Sequence, residues 1–196
     1  GKDDSWTIEF KGLDTKIDLT VSLLADDKVV DNNSKKVSIA GTFESALSAA
    51  IKGVSATSDQ NKITAMVEYG DIHKTLLGDA VLYGTLKVTQ GLGNDNVKIT
   101  FIKNGEVITT QSIMPDALKE GLDLKSYLRL NSPLQNATPQ STDTWTIVFD
   151  ELNYDLEAEL QFKITRTDES GENITKEYKK VTVNLEREER QTLKDT

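Results

Sequence analysis

The chain contains no cysteine. Disulfides, zinc–thiolate centres and thiol nucleophiles are therefore excluded within it. It has one histidine, His73. One imidazole cannot build a multi-histidine metal site, and no G-x-S-x-G elbow supplies a serine for a triad. Its neighbours Asp71, Ile72 and Lys74 make His73 a solvated loop or edge residue. Runs of basic residues are missing as well. Lys and Arg total 23 against 32 Asp and Glu, a net charge of −9. Such a chain repels phosphate backbones, so no nucleic-acid partner is expected. No stretch reaches the roughly 18 apolar residues that span a bilayer as a helix. The glycine-containing segment Gly91–Asn96 lacks the third glycine and following helix of a dinucleotide loop, and G-x-x-x-x-G-K does not occur.

What is present is alternation. Trp6, Ile8 and Phe10 alternate with polar neighbours, as do Ile17, Leu19, Val21 and Leu23. The pattern returns at Ile63, Ala65, Val67 and Tyr69, at Leu82, Leu86 and Val88, and at Val97, Ile99 and Phe101. Period two puts every second side chain on one face of a strand, as in antiparallel sheets with one wet side. Ten candidate strands can be counted, with connections too short for crossover helices. Asn104-Gly105 tolerates positive φ at both central positions and predicts a tight hairpin. Gly91–Asn96 and Asp168–Asn173 predict turns between strands.

Helical spacing occurs twice. Between the potential cap Thr42 and Gly53, the residues Phe43, Ala46, Leu47, Ala50 and Ile51 form one apolar stripe. A second helical stretch follows Pro115, with Gly121 interrupting it. There Asp123 is placed to cap a turn bearing Leu124, Tyr127 and Leu128.

The sequence also repeats itself. Asp4–Phe10 reads DSWTIEF and Asp143–Phe149 reads DTWTIVF. The match continues without a gap, Leu13 with Leu152, Ile17 with Leu156, Val21 with Leu160 and Leu23 with Phe162. After a turn of different length, Lys35–Ile39 matches Lys179–Val183. We read this as duplication of a three-strand meander, residues 4–39 and 143–183. Three strands bury one face only and need a partner layer. A single structural unit over 1–196 is therefore expected. The alternative is a β domain over 1–131 and a small β domain over 143–196, joined by a Ser, Thr, Pro and Asn-rich linker at 132–142.

No residue is assigned a catalytic, cofactor-binding or metal-ligating role. Trp6 and Trp145 share strand faces with Ile8 and Phe10 and with Ile147 and Phe149, which marks them as core rather than as sugar-stacking platforms. Acidic groups cluster at Asp26-Asp27 with Asp31, at Asp150-Glu151, and at Asp168-Glu169 with Glu172. None matches the twelve-residue calcium loop, so each reads as a solvated turn. No cofactor is expected. Asn32, Asn136 and Asn173 begin N-x-Ser/Thr sequons. The mixed-charge run Glu186–Arg190 reads as a disordered tail, with a frayed strand end or a short helix turn as the alternatives.

The start, Lys2-Asp3-Asp4, resembles the surface-export signal that follows the lipidated cysteine in surface lipoproteins of Bacteroidetes. That family includes many small β-sandwich proteins of glycan-uptake, adhesion and fimbrial systems. The resemblance implies an extracytoplasmic place at the cell surface or outer membrane. Membrane attachment would then be only through a lipid anchor outside this sequence.

These readings predict a mainly β protein of antiparallel, sandwich-like architecture, with one or two short helices and the duplicated meander. A curved sheet wrapping the Thr42–Gly53 helix around an apolar groove is the runner-up. Three functions fit. The favoured one is a non-enzymatic binding or interaction module of the cell envelope with a protein or glycan partner. The second is a carrier of a lipid or other apolar ligand, with a cavity lined by Leu47, Ile51, Leu82 and Phe101. The third is a hydrolase with two spatially assembled carboxylates, one of raised pKa.

Overall fold

A computed structural model describes residues 17–39, 41–130, 133–168 and 170–187. The strand expected at 4–10, the Lys2–Asp4 segment and the tail beyond Arg187 lie outside these residues.

In chain order the strands and helices are β1 (Ile17–Ala25), β2 (Lys28–Ile39), α1 (Phe43–Ala50), β3 (Ile51–Asp59), β4 (Lys62–Tyr69), α2 (Lys74–Leu77), β5 (Val81–Gln90), β6 (Val97–Lys103), β7 (Glu106–Ile113), α3 (Pro115–Glu120), β8 (Leu122–Asp123), α4 (Lys125–Leu128), β9 (Thr142–Asp150), β10 (Leu156–Thr167) and β11 (Asn173–Leu185). A 3₁₀ turn at Leu134–Asn136 precedes β9.

The described strands pair antiparallel in three sheets. One has two strands, β1-β2. One has four, in the order β11-β10-β5-β8. One has five, in the order β3-β4-β9-β6-β7. The larger two face each other as a sandwich, as the alternation predicts. From the five-stranded sheet come Ile63, Ala65, Val67, Ile99, Phe101, Trp145, Ile147 and Phe149. From the four-stranded sheet come Leu82, Leu86, Leu160, Phe162 and Ile164. All are buried in one core. Trp145 stacks on Phe162 across the layers at 5.5 Å between ring centroids. Burying each such aromatic contributes on the order of 2–3 kcal/mol. Trp145 is therefore core, as its strand face implies. The wrapped-helix alternative is set aside, because α1 packs beside the sandwich and no single sheet encloses it.

Turn chemistry follows the sequence. Asn104 and Gly105 have φ of 50° and 82°, the primed turn expected between β6 and β7. Asp26 and Asp27, at 51° and 60°, turn β1 into β2 in the same way.

The helices differ from expectation in number and in one boundary. Four are described, against the one or two expected. Thr42 does cap α1. Its Oγ1 accepts from the Ser45 N–H at 3.1 Å, and the Ser45 hydroxyl accepts from the Thr42 N–H at 2.9 Å. But α1 ends at Ala50, not at Gly53. Ile51, read as the last stripe residue, begins β3 and pairs with Tyr69, while Gly53 sits at a β-bulge. An apolar residue at this junction satisfies either period, and pairing with β4 decides between them. After Pro115 the chain makes two short helices separated at Gly121. Asp123 does not cap the second of them: the N-cap of α4 is Leu124, without a side-chain cap, and Asp123 Oδ1 accepts from the Lys125 N–H at 2.8 Å in the turn just before it.

The four edges of the two large sheets differ in cover. Along β3, the Tyr178 hydroxyl and the Lys179 ammonium from β11 donate to the carbonyls of Ile51 and Val54. The Glu186 N–H donates to the Gln60 carbonyl at 3.0 Å. The β3 and β11 edges thus close one seam of the sandwich. Along β5, β8 pairs at Thr85 and Leu86, the Leu124 N–H bonds to the Gly84 carbonyl, and the Leu134 N–H bonds to the Ala80 carbonyl. Along β7, no backbone hydrogen bond to another described residue runs outward from the sheet.

Candidate functional site

The outer face of the four-stranded sheet carries a cleft of about 440 Å³. Its floor follows from register. Thr165 of β10 lies opposite Val81 on one side and Thr175 on the other. Thr167 lies opposite Asn173, and Lys163 lies opposite Tyr83. Leu82, Phe162 and Ile164 occupy the alternate positions and face the core. The period that buries them therefore puts hydroxyls, an amide and a phenol in one outward group.

The walls come from the ends of the elements. Asp79 precedes β5, Asp123 closes β8, Lys125 begins α4, and Arg166 lies near the end of β10. Asp79 Oδ1 accepts from the Thr167 N–H at 3.2 Å. Hydrogen bonding from Thr167, by its hydroxyl and then its backbone N–H, holds the Asp79 carboxyl below its usual range. Thr165 and Thr175 share a hydroxyl–hydroxyl bond of 2.8 Å. The cleft thus presents two carboxylates, two cations, several hydroxyls, one amide and one ring. This arrangement can hydrogen-bond a polar ligand from several directions.

Arg166 also borders a second, smaller concavity. Its guanidinium lies 4.1 Å above the Phe43 ring centroid. This groove, about 90 Å³, is lined by Phe43 and Leu47 of α1 and by Ile164, Ile174 and Tyr178 of the sheet. At its rim the Glu44 carboxyl is held low, by its own backbone N–H first and by Lys176 at 3.6 Å among the lesser causes. The groove is smaller than the roughly 150 Å³ that holds one benzene. Of the residues expected to line a carrier cavity, only Leu47 borders it. Ile51, Leu82 and Phe101 are packed in the core, with Phe101 stacked on Tyr127 at 4.6 Å. Each is an inward residue of a different strand.

The acidic clusters serve turns. Asp168 Oδ1 accepts from the N–H groups of Ser170 and Glu172, both at 2.9 Å, and from the Ser170 hydroxyl at 2.6 Å. These bonds, the Ser170 hydroxyl foremost, hold its carboxyl low. Asp150 Oδ2 accepts from the Thr100 hydroxyl at 2.6 Å, and Glu151 turns the chain with φ of 56°. His73, expected in a loop, caps α2. Its Nδ1 accepts from the Leu76 N–H at 3.3 Å.

The residues of the large cleft were not legible as a set. Asn173 carried a sequon signal and Asp123 a cap signal, but neither pointed to the other. The available hint was the polar pair Thr165-x-Thr167 facing Asn173-x-Thr175 across a predicted turn.

No family model matches the chain, and no curated protein matches it. Among solved structures it is similar to CfaE, the adhesive subunit of CFA/I fimbria of enterotoxigenic Escherichia coli, at 10% identity and a TM-score of 0.33. That match covers 78% of this chain and 52% of CfaE. It is also similar to the collagen-binding domain of the Erysipelothrix rhusiopathiae surface protein RspB, at 15% identity and a TM-score of 0.29. That match covers 87% of this chain and 58% of the RspB domain. The chain thus matches little more than half of either protein. Likenesses at these scores assign it neither a ligand nor a partner.

Proposed function

We propose that this protein is a non-enzymatic binding module of the cell envelope, and that its ligand seats in the cleft over Tyr83, Thr165 and Thr175. The observation that carries the reading is the composition of that cleft. It offers hydroxyl, amide and carboxylate partners and two cations beside one aromatic ring, over a sheet whose other face is buried. Such a site suits a neutral glycan, whose hydroxyls both donate and accept. A polyanionic glycan is disfavoured by the net charge of −9. In the same cleft Asp79 is held toward its charged form, so it is not suited to be the proton-donating carboxyl of a hydrolytic pair. The Lys2-Asp3-Asp4 resemblance supports a place at the cell surface, reached through a lipid anchor on a preceding residue.

The test is an amide-resolved NMR titration with neutral oligosaccharides, repeated on Tyr83→Ala and Thr165→Ala. The expected result is a set of shifts confined to β5, β10 and β11, weakened at least tenfold in either variant. Saturable binding that both variants leave unchanged would remove the cleft from the proposal. Binding of surface proteins but of no glycan, lost in the same variants, would keep the cleft and change the ligand class. Protease shaving of intact cells of the source organism tests the location. A chain cleaved only after lysis would refute surface exposure.

A further inference from the structure

The walls of the large cleft hold charge of both signs. Asp79 and Asp123 bring carboxylates, Lys125 an ammonium and Arg166 a guanidinium. The chain groups them in two mixed pairs. Asp123 ends β8, opposite Thr85 of β5, and Lys125 follows at the start of α4. Asp79 precedes β5 and bonds to Thr167, the residue next to Arg166 near the end of β10. One anion and one cation therefore come from the β8–α4 side, and one of each from the ends of β5 and β10.

These charges do not neutralise one another. Among the described residues no ion pair includes any of the four. Three are held by other contacts. The Thr167 N–H donates to Asp79 Oδ1 at 3.2 Å, and the Lys125 N–H donates to Asp123 Oδ1 at 2.8 Å. The Arg166 guanidinium lies 4.1 Å from the Phe43 ring centroid. The Lys125 ammonium has no partner among the described residues. Each carboxylate keeps lone pairs for a further donor, and the ammonium keeps its donors for an acceptor. Groups fixed before a ligand arrives lose little freedom when it binds. One cleft thus offers placed acceptors for a cation and placed donors for an anion.

We propose that the cleft reads a net-neutral, zwitterionic sugar unit, whose ammonium is taken by Asp79 or Asp123 and whose carboxylate is taken by Lys125 or Arg166. This rests on the glycan reading of the cleft and names the ligand within it. The hydroxyls of Thr165 and Thr175 and the Tyr83 ring serve the sugar itself. A unit with one charge of each sign adds no net charge, so the protein's −9 does not repel it. A ligand with a single charge meets a like charge in either mixed pair. Discrimination then comes from repulsion as well as attraction.

The experiment titrates the full chain with four related sugars at about pH 6, where amines are charged, and follows the amide shifts by NMR. N-acetylglucosamine carries neither charge, glucosamine an ammonium, N-acetylmuramic acid a carboxylate, and muramic acid both. Muramic acid should bind about tenfold tighter than N-acetylglucosamine, a gain of about threefold for each partly exposed charge pair. Its advantage over N-acetylmuramic acid should vanish in the double variant Asp79→Asn, Asp123→Asn, whose amide oxygens still accept the backbone N–H groups. Its advantage over glucosamine should shrink in Lys125→Gln. Both readouts are ratios within one variant, so a general loss of folding or binding does not imitate them. Equal affinity for all four sugars in the cleft would overturn the zwitterion proposal and leave the glycan reading standing. Cleft shifts with neutral oligosaccharides but with none of the four would do the same. No cleft shifts with any sugar would overturn both. A free amino acid that binds as tightly as muramic acid would overturn the assignment to a sugar.

Discussion

Replacing Gly91 by alanine separates two demands that a glycine can meet. Gly91 ends the run of β5 beside the start of β10, with φ of +83°. A Cβ placed there would stand 2.2 Å from the Asp155 carbonyl oxygen and 3.2 Å from the Leu156 Cα. The two strands would have to part by about 1 Å to restore ordinary contact. That disturbs the pairing of Gln90 with Glu157 and of Val88 with Ala158. Gly105 makes the control. Its φ is +82°, but nothing lies within 4 Å of an added Cβ. Positive φ costs an alanine about 1–2 kcal/mol at either site. Forced overlap adds about 1–3 kcal/mol at Gly91 alone. Urea melts followed by circular dichroism should therefore place Gly91→Ala below Gly105→Ala by about 1–3 kcal/mol. At this chain length each kcal/mol corresponds to roughly 2–4 °C in midpoint. Equal losses in the two variants would refute the close approach of β5 and β10, leaving only turn conformation as the reason for Gly91.

Three further outcomes are expected. The Tyr69 hydroxyl is buried without a hydrogen-bond partner among the described residues, and burial, then the charge of Asp143, pushes its pKa up. A raised pKa gives stability that is present below the unfolded value near 10 and is lost as pH rises through the folded value. Tyr69→Phe should thus unfold less readily in alkali and be neutral or stabilised by about 1 kcal/mol at pH 7. A loss above about 1 kcal/mol in chemical melts would show instead that the hydroxyl is satisfied. Thr42→Ala removes the cap of α1 and should lower stability by about 1 kcal/mol, and Thr42→Ser should restore most of it. Asp168→Ala should lower the thermal midpoint at pH 7. The carboxyl's pKa is depressed, so its contribution is lost as pH falls, and the gap to wild type should close below about pH 4. A gap of constant size down to pH 2 would contradict the charge-based account.

Strand identity was legible because one wet face and one dry face leave period two in the sequence. Ile63, Ala65 and Val67 announce β4, and Asn104-Gly105 announces its own turn. Pairing partners were not legible. Nothing local in DTWTIVF says that it lies between β4 and β6, made some 80 and 45 residues earlier. Order across a sheet is set by which inward faces fill one core together. The end of α1 was missed because Ile51 fits two periods at once. The cleft was missed because its members are polar residues on an outer face, where alternation records only that they are not buried. Asp79 comes from the connection before β5 and Asp123 from the strand β8, and only register brings them to one cleft.

The position of β9 also sets the order in which the molecule can be completed. Translation delivers β4, β6 and β7 long before β9, so a growing chain holds two strands with vacant inner edges and nothing to place between them. Neither large sheet can close until residues 142–185 are made, because β10 and β11 also arrive after β5. Non-local pairing of this kind folds slowly and leaves edges exposed in the interval. The pace at which residues 142–185 follow therefore sets how long those edges stay unpaired.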